Sequence, residues 1–305
     1  MNKRLLFGLV ITLLMVVIAL FGPYMTPYSL SHQLQVTYTT DSNGGGTLVS
    51  PPAGPDSEYV LGTDRYGYDL YTQMLYGAKY TMFASIIVAI MRVGIGAVFG
   101  MLFGYYDREK YRMKWTAGGL NGIPIFMIAY FTMLGISINS SLSPFTLTVV
   151  ICILLIALGI PSITSTYRDK TIHLKKQPYI MAASALGAGH QRIIFRHIFP
   201  QFHESLLLML VNEVILVLAI FGQLSIFHIF IGGTIIPKDD LPISYLSVSH
   251  EWSGMIGSAR DSLMVYPWMI YFPLLAYVIL ILGLYLLSKG LEELYRDRYN
   301  KFSHI

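Results

Sequence analysis

The sequence predicts an all-α membrane protein with six transmembrane helices and one external lobe between the first and second. Three observations carry that fold class. Of 305 residues, 54% are hydrophobic and 12% charged, about half the charge of an average soluble domain. Long apolar windows recur along the whole chain instead of hiding behind one charged surface. The segments between those windows alternate between basic and acidic, as topology in a bilayer requires.

A helix crossing ~30 Å of hydrocarbon needs about 20 mostly apolar residues. That length selects Leu5 to Met25, Tyr80 to Tyr105, Ala117 to Ser137, Phe145 to Ile160, Ser205 to Ile231 and Pro267 to Leu287, the fourth being the shortest. Lys3 and Arg4 ahead of an uncharged run to Phe21 also suit a secretory signal. No A-x-A-like cleavage site follows, so the segment reads as a retained first helix.

Orientation follows from the excess of Lys and Arg on the cytoplasmic side. Lys3 and Arg4, then Arg108, Lys110, Arg112 and Lys114, then Arg168, Lys170, Lys175, Lys176, Arg192 and Arg196, then Lys289, Arg296, Arg298 and Lys301 all fall on one side. The opposite segments carry Arg65, Lys79, Lys238 and Arg260 among more numerous acids, including Asp56, Glu58, Asp239, Asp240 and Glu251. Both termini are therefore expected in the cytoplasm, which six crossings satisfy.

Between spans one and two, the Asp41 to Gly46 and Ser50 to Pro55 stretches are turn and linker compositions, giving an irregular external lobe. Trp252, Tyr266 and Trp268 in the excursion between the last two spans are of the kind that sit at a headgroup interface. The domains expected are a first helix over 1–25, an extracytoplasmic lobe over 26–79, and a five-helix core over 80–305 with a cytoplasmic loop over 161–204.

That loop is unusually ordered. Pro178 starts a short helix, Ala182, Ala183 and Ala185 continue it, and Gly187 with Gly189 ends it. After the turn, Ile193, Ile194, Ile198 and Phe199 fall at helical spacing, with Arg192 and Arg196 one turn apart on another face, before Pro200 breaks the run. Periodicity alone supports two readings: a linker anchored at the membrane surface, or a compact knob for a partner's groove.

Ala182, Ala183, Gly187 and Pro200 at this spacing resemble the loop signature of permease subunits in binding-protein-dependent ABC importers. A second stretch narrows the resemblance. Gly62, Thr63, Asp64, Gly67, Asp69 and Gly77, just ahead of span two, are similar to the motif of the C-type permease of oligopeptide, dipeptide and nickel importers. Gly104 to Tyr106, Leu224 with Ser225, and Glu251 with Trp252 through Gly290 look like the same subunit. Met181 stands where the loop signature usually has Glu, and Tyr68 where the second motif usually has Arg.

The resemblance implies a type I ABC importer permease in a bacterial inner membrane, forming half of a pathway for peptides. It implies a second homologous permease, two cytoplasmic ATPase subunits that hold ATP and Mg, and an extracytoplasmic substrate-binding protein as partners. Tyr179, Met181, Ala182, Ala183, Leu186, Gly187, Ala188, Arg192, Arg196 and Pro200 would then couple to the ATPases. Nickel, metallophore or opine import belongs to the same family. Rivals outside it are an ion-coupled carrier and a membrane scaffold.

Inside the spans, Arg92 and Glu213 require a partner or water. At ~1.5 Å per residue their Cα depths differ by about 7 Å, within reach of one Arg side chain. They are expected either to pair between helices or to line the pathway, with Asn212 as a neighbouring donor. Gly96, Gly100 and Gly104 form a small-residue strip for close helix approach. No phosphate-loop motif, metal-ligand spacing or nucleophile and base pair is present, and the lone Cys152 excludes an intrachain disulfide. The chain itself is expected to bind no cofactor, no metal and no nucleic acid, and to perform no catalysis.

Overall fold

The computed structural model describes residues 3–40, 46–106, 123–238 and 243–302. The long elements are α1 (Lys3–Phe21), α2 (Leu70–Tyr106), α4 (Pro144–Lys175), α7 (His203–Ile226) and α9 (Trp268–Phe302), with shorter α3 (Ile125–Ser137), α5 (Pro178–Ala185), α6 (His190–Arg192) and α8 (Trp252–Ala259) between them. Five helical stretches among the described residues are long and apolar enough to cross a membrane. The expected third span appears as α3, 13 residues long; its upstream part, 117–122, lies outside the described residues.

The helices place the chain's features at two ends of a bundle. The lobe end carries residues 22–40 and 46–69 and the described parts of the excursion between α7 and α9, 227–238 and 243–267. The basic end carries α5, α6 and the ends of α1 and α9 that hold Arg4, Lys289 and Arg296.

Three helices run well past the expected spans, α9 continuing from Leu287 to Phe302. α2 begins at Leu70 because Asp69 caps it, its Oδ2 accepting from the Thr72 backbone N–H at 2.8 Å and the Thr72 hydroxyl at 2.6 Å. α4, expected to be the shortest span, has 32 residues. Ser143 caps its start, and its polar continuation through Thr164, Tyr167 and Thr171 is buried against α2. The glycine strip explains that contact: a Cβ at Gly100 would stand 2.7 Å from the Thr164 carbonyl oxygen, and one at Gly104 2.6 Å from that of Arg168. The loop expected from 161 therefore starts only after Lys175.

The lobe is less irregular than its composition suggests. Thr37–Thr40 pairs antiparallel with Gly46–Val49 as β1 and β2, with Thr37 opposite Val49. A second ladder, β3 (Thr234–Ile235) with β4 (Leu246–Ser247), braces the excursion after α7.

Trp252 does not sit at a headgroup interface. It is 2% exposed, its indole N–H donating to the Met74 carbonyl at 2.9 Å and its backbone N–H to Thr81 Oγ1 at 3.0 Å. These bonds seat α8 on α2 so closely that a Cβ at Gly77 would fall 1.7 Å from the His250 carbonyl oxygen. Gly77→Ala is therefore expected to lower stability by about 1–3 kcal/mol through forced separation. Thermal unfolding in detergent checks this; an unchanged midpoint would show that the contact is not tight.

Candidate coupling and pathway sites

The knob at the basic end is built by its punctuation. Pro178 occupies the first turn of α5, where the missing N–H costs nothing. At the other end Gly187 takes φ +83°. Its N–H reaches the Ser184 carbonyl and the Ala188 N–H reaches that of Ala183, both at 3.0 Å, the paired closure of a Schellman turn.

One side chain fastens the knob. Ile180 is 3% exposed and belongs to one buried cluster with Ala97, Met101 and Tyr105 of α2, Ile163 and Tyr167 of α4, and Ile193, Ile194 and Ile198 after the turn. Tyr179, Met181 and Leu186 face outward, Leu186 at 89% exposure. Ala182 is exposed, and Ala183 and Ala188 are half-buried. Together they leave an exposed apolar surface on α5.

The second half of the loop differs from an interfacial helix. After α6 the backbone widens into a π-helical turn over Ile193–Ile198, and Ile193, Ile194 and Ile198 are buried on protein while Phe195 stays exposed. Arg192, Arg196, Phe199 and Pro200 remain exposed. His190 shares a 2.7 Å hydrogen bond with the Tyr105 hydroxyl, tying the loop to the end of α2. No signal in the sequence links those two residues.

In the bundle, Arg92 and Glu213 meet. Arg92 Nη1 donates to Glu213 Oε2 at 3.1 Å, and Arg92 Nε donates to the Leu155 carbonyl at 2.9 Å. Gly159 leaves the space for the guanidinium, since a Cβ there would stand 2.2 Å from Arg92 Nε. Three helices, α2, α4 and α7, thus share one buried charge cluster. Asn212 does not join it; its Oδ1 accepts from Ser288 Oγ at 2.7 Å on α9, because neighbouring helical residues point about 100° apart.

The residues ahead of α2 are spent on structure. Gly62 and Gly67 take φ +79° and +88°. Thr63 exchanges backbone and hydroxyl bonds with Ala53. Asp64 Oδ1 accepts from the backbones of Tyr66 and Tyr68 and Oδ2 from Gln73, while burial raises its pKa against those bonds. These residues form a lock between lobe and bundle.

Glu251 caps α8, its Oε2 accepting from the Ser253 N–H at 2.8 Å and hydroxyl at 2.6 Å. Complete burial pushes its carboxyl up to about 7 from 4.5. The folded form therefore keeps a proton that the unfolded chain releases, so this stability is full below pH 4.5 and lost as pH rises through 7. Across that window the loss amounts to about 3 kcal/mol. Melting points at pH 5 and pH 8 should differ less for Glu251→Gln than for the parent; an equal difference would remove Glu251 as the cause. Among the described residues, no cluster of three or more His, Cys, Asp or Glu stands ready for a metal.

Comparison with known proteins decides the class of machine. Residues 96–301 match the family described as the binding-protein-dependent transport system inner membrane component. The chain belongs to this family. Residues 1–43 match the N-terminal transmembrane domain of oligopeptide transport permease C. The permease is 27% identical to the dipeptide transport system permease protein of Alkalihalophilus pseudofirmus, over 96% of this chain and 85% of that protein. It is 25% identical to the oligopeptide transport system permease protein of Bacillus subtilis, again over 96% and 85%. The glutathione transport system permease protein of Pectobacterium atrosepticum is 26% identical over 92% of this permease and 82% of its own length. The fold and the family expected from the loop and lobe motifs are thus those found.

Proposed function

We propose that this permease forms half of the pathway of an ATP-driven importer for peptides, with two ATPase subunits holding ATP and Mg docked on α5. The observation that carries the reading is the uncovered, rigidly capped α5 at the end of the bundle richest in Lys and Arg. That end is the cytoplasmic one by the positive-inside rule, and both termini lie there. A second permease completes the pathway, and a binding protein delivers substrate at the lobe end. Peptides are the substrate class because the relatives above are named for dipeptides, oligopeptides and glutathione.

The coupling route is short. A push on α5 enters through Ile180 into the cluster that joins the ends of α2 and α4. Arg92, bonded to both α4 and α7, then makes three helices move as one body. A two-state rotation of that body, biased by the ATPases, alternates access to the two sides. Arg92 acts here as a clamp rather than a pathway group, being 1% exposed.

The test is purification of the tagged permease in mild detergent, with identification of what stays bound and an ATPase assay. Two ATPases, a second permease and a peptide-binding protein are the expected companions. A chain that purifies alone and transports in liposomes on an ion gradient only would overturn the reading.

A further inference from the structure

One outward stripe of α9 changes character along its length. Tyr271, Leu275, Val278, Leu282 and Tyr285 recur at alternating steps of four and three residues, the spacing of a single helical face, and all are exposed. The same steps continue through Lys289, Glu292 and Arg296. An apolar lane therefore runs directly into a charged one.

At that transition a pocket of about 480 Å³ opens between the ends of α1 and α9. Tyr285 and Leu286 contribute its apolar lining, and Arg4, Lys289 and Arg296 stand around it with Glu292 and Glu293. The two helices cross there backbone on backbone, a Cβ at Gly290 falling 2.5 Å from the Leu5 Cα, so the pocket has a firm base. Arg4 pairs with Glu293, and Lys289 Nζ donates to Glu292 Oε2 at 2.8 Å. Both pairs are open to solvent on at least one side, and such pairs hold weakly. Arg296 is exposed and has no ion-pair partner among the described residues. Three cations against two carboxylates leave the pocket positive.

The level of the pocket narrows the occupant. Leu5, packed on Gly290, opens the apolar run of α1, and Arg4 immediately precedes it. The pocket thus lies where hydrocarbon gives way to headgroups, the level at which a tyrosine such as Tyr285 is favoured. In the orientation of the proposed function, on which this inference rests, that level belongs to the cytoplasmic leaflet, whose lipids are in part anionic. Basic pockets between membrane helices on that side suit such headgroups. A soluble anion or an acidic peptide would use the cations alone. A phospholipid uses the cations and the apolar lane together.

We propose that this pocket holds the phosphate of an anionic phospholipid from the cytoplasmic leaflet, with Arg4, Lys289 and Arg296 around it and an acyl chain along Tyr285, Leu282 and Val278. Bound there, the lipid fixes the depth of the α1 and α9 pair in the bilayer.

The test uses the complete transporter purified in mild detergent, with binding of added phosphatidylglycerol and phosphatidylcholine counted by native mass spectrometry. Phosphatidylglycerol should bind more tightly, and the double substitution Lys289→Gln with Arg296→Gln should weaken it about thirtyfold, the effect of two charges lost near a membrane surface. Glu292→Gln should tighten it instead, a direction that a purely structural role of the Lys289 pair would not produce. All three positions are on the surface, so the variants keep the fold. No preference between the two lipids, an unchanged affinity in the double variant, or no gain in Glu292→Gln overturns the site while leaving the importer intact. Equal binding of glycerol phosphate, which has no acyl chains, overturns the lipid in favour of a soluble anion. Labelling of a C-terminal tag from outside intact cells overturns the orientation, and the leaflet with it, independently of the binding measurements.

Discussion

Glu213→Leu alone is expected to cost about 3–5 kcal/mol, because it leaves Arg92 charged, buried and unpaired. The double substitution Arg92→Met with Glu213→Leu should recover most of that loss, since apolar groups of similar volume replace both charges without a desolvation penalty. The recovery will be partial. Arg92 Nε also bonds the Leu155 carbonyl, and methionine gives α2 no such hold on α4. Denaturant unfolding in detergent, followed by tryptophan fluorescence, measures both variants. A single variant as stable as the parent would mean that water reaches the pair. Uptake by the double variant adds a second readout: a clamp tolerates the swap in part, whereas a group that meets substrate would not.

The second large effect is at the knob. Gly187→Arg should reduce ATP-driven uptake by at least about tenfold while leaving the bundle folded, because bulk placed in a docking surface excludes the partner. A Cβ at Gly187 meets nothing within 4 Å, so the new side chain projects outward into the space a partner would occupy. The positive φ of +83° adds strain of about 1–2 kcal/mol for a side-chain-bearing residue. Gly187→Asn separates the two causes, since asparagine accepts the left-handed conformation with little bulk. Uptake by the reconstituted complex should rank parent, Asn, Arg. Equal uptake in all three would remove α5 from the ATPase contact.

Much of this was legible in the residues. Pro178 and Gly187 delimit α5 because proline is pre-set for a helix's first turn, where its missing N–H is not needed, and glycine accepts the positive φ that closes the last turn. Arg92 and Glu213 stood out because charge is rare inside a span. What escaped has equally local causes. A hydropathy window registers the slab of lipid rather than the helix, so it lost the start of α2, which depends on Asp69, and the end of α4, which depends on burial against glycines sixty residues earlier in the chain. α8 has 8 residues, two of them Gly254 and Gly257, and no periodicity survives at that length. Asn212, expected as a donor beside the charge pair because it neighbours Glu213 in sequence, instead bonds Ser288 on α9, since successive helical residues point about 100° apart.

α2 is 37 residues of unbroken helix, whereas α4 and α9 each contain an internal proline. At 1.5 Å per residue it is a rod of about 55 Å, pinned near one end by Trp252 and near the other by the Ile180 cluster. A tilt of about 10° about its middle carries each tip roughly 5 Å in opposite directions. Such a lever transmits load equally well from either side. If an ATPase docks at the far tip as proposed, a load on the lobe tip changes how tightly it is held by the same factor that the ATPase changes the grip at the lobe.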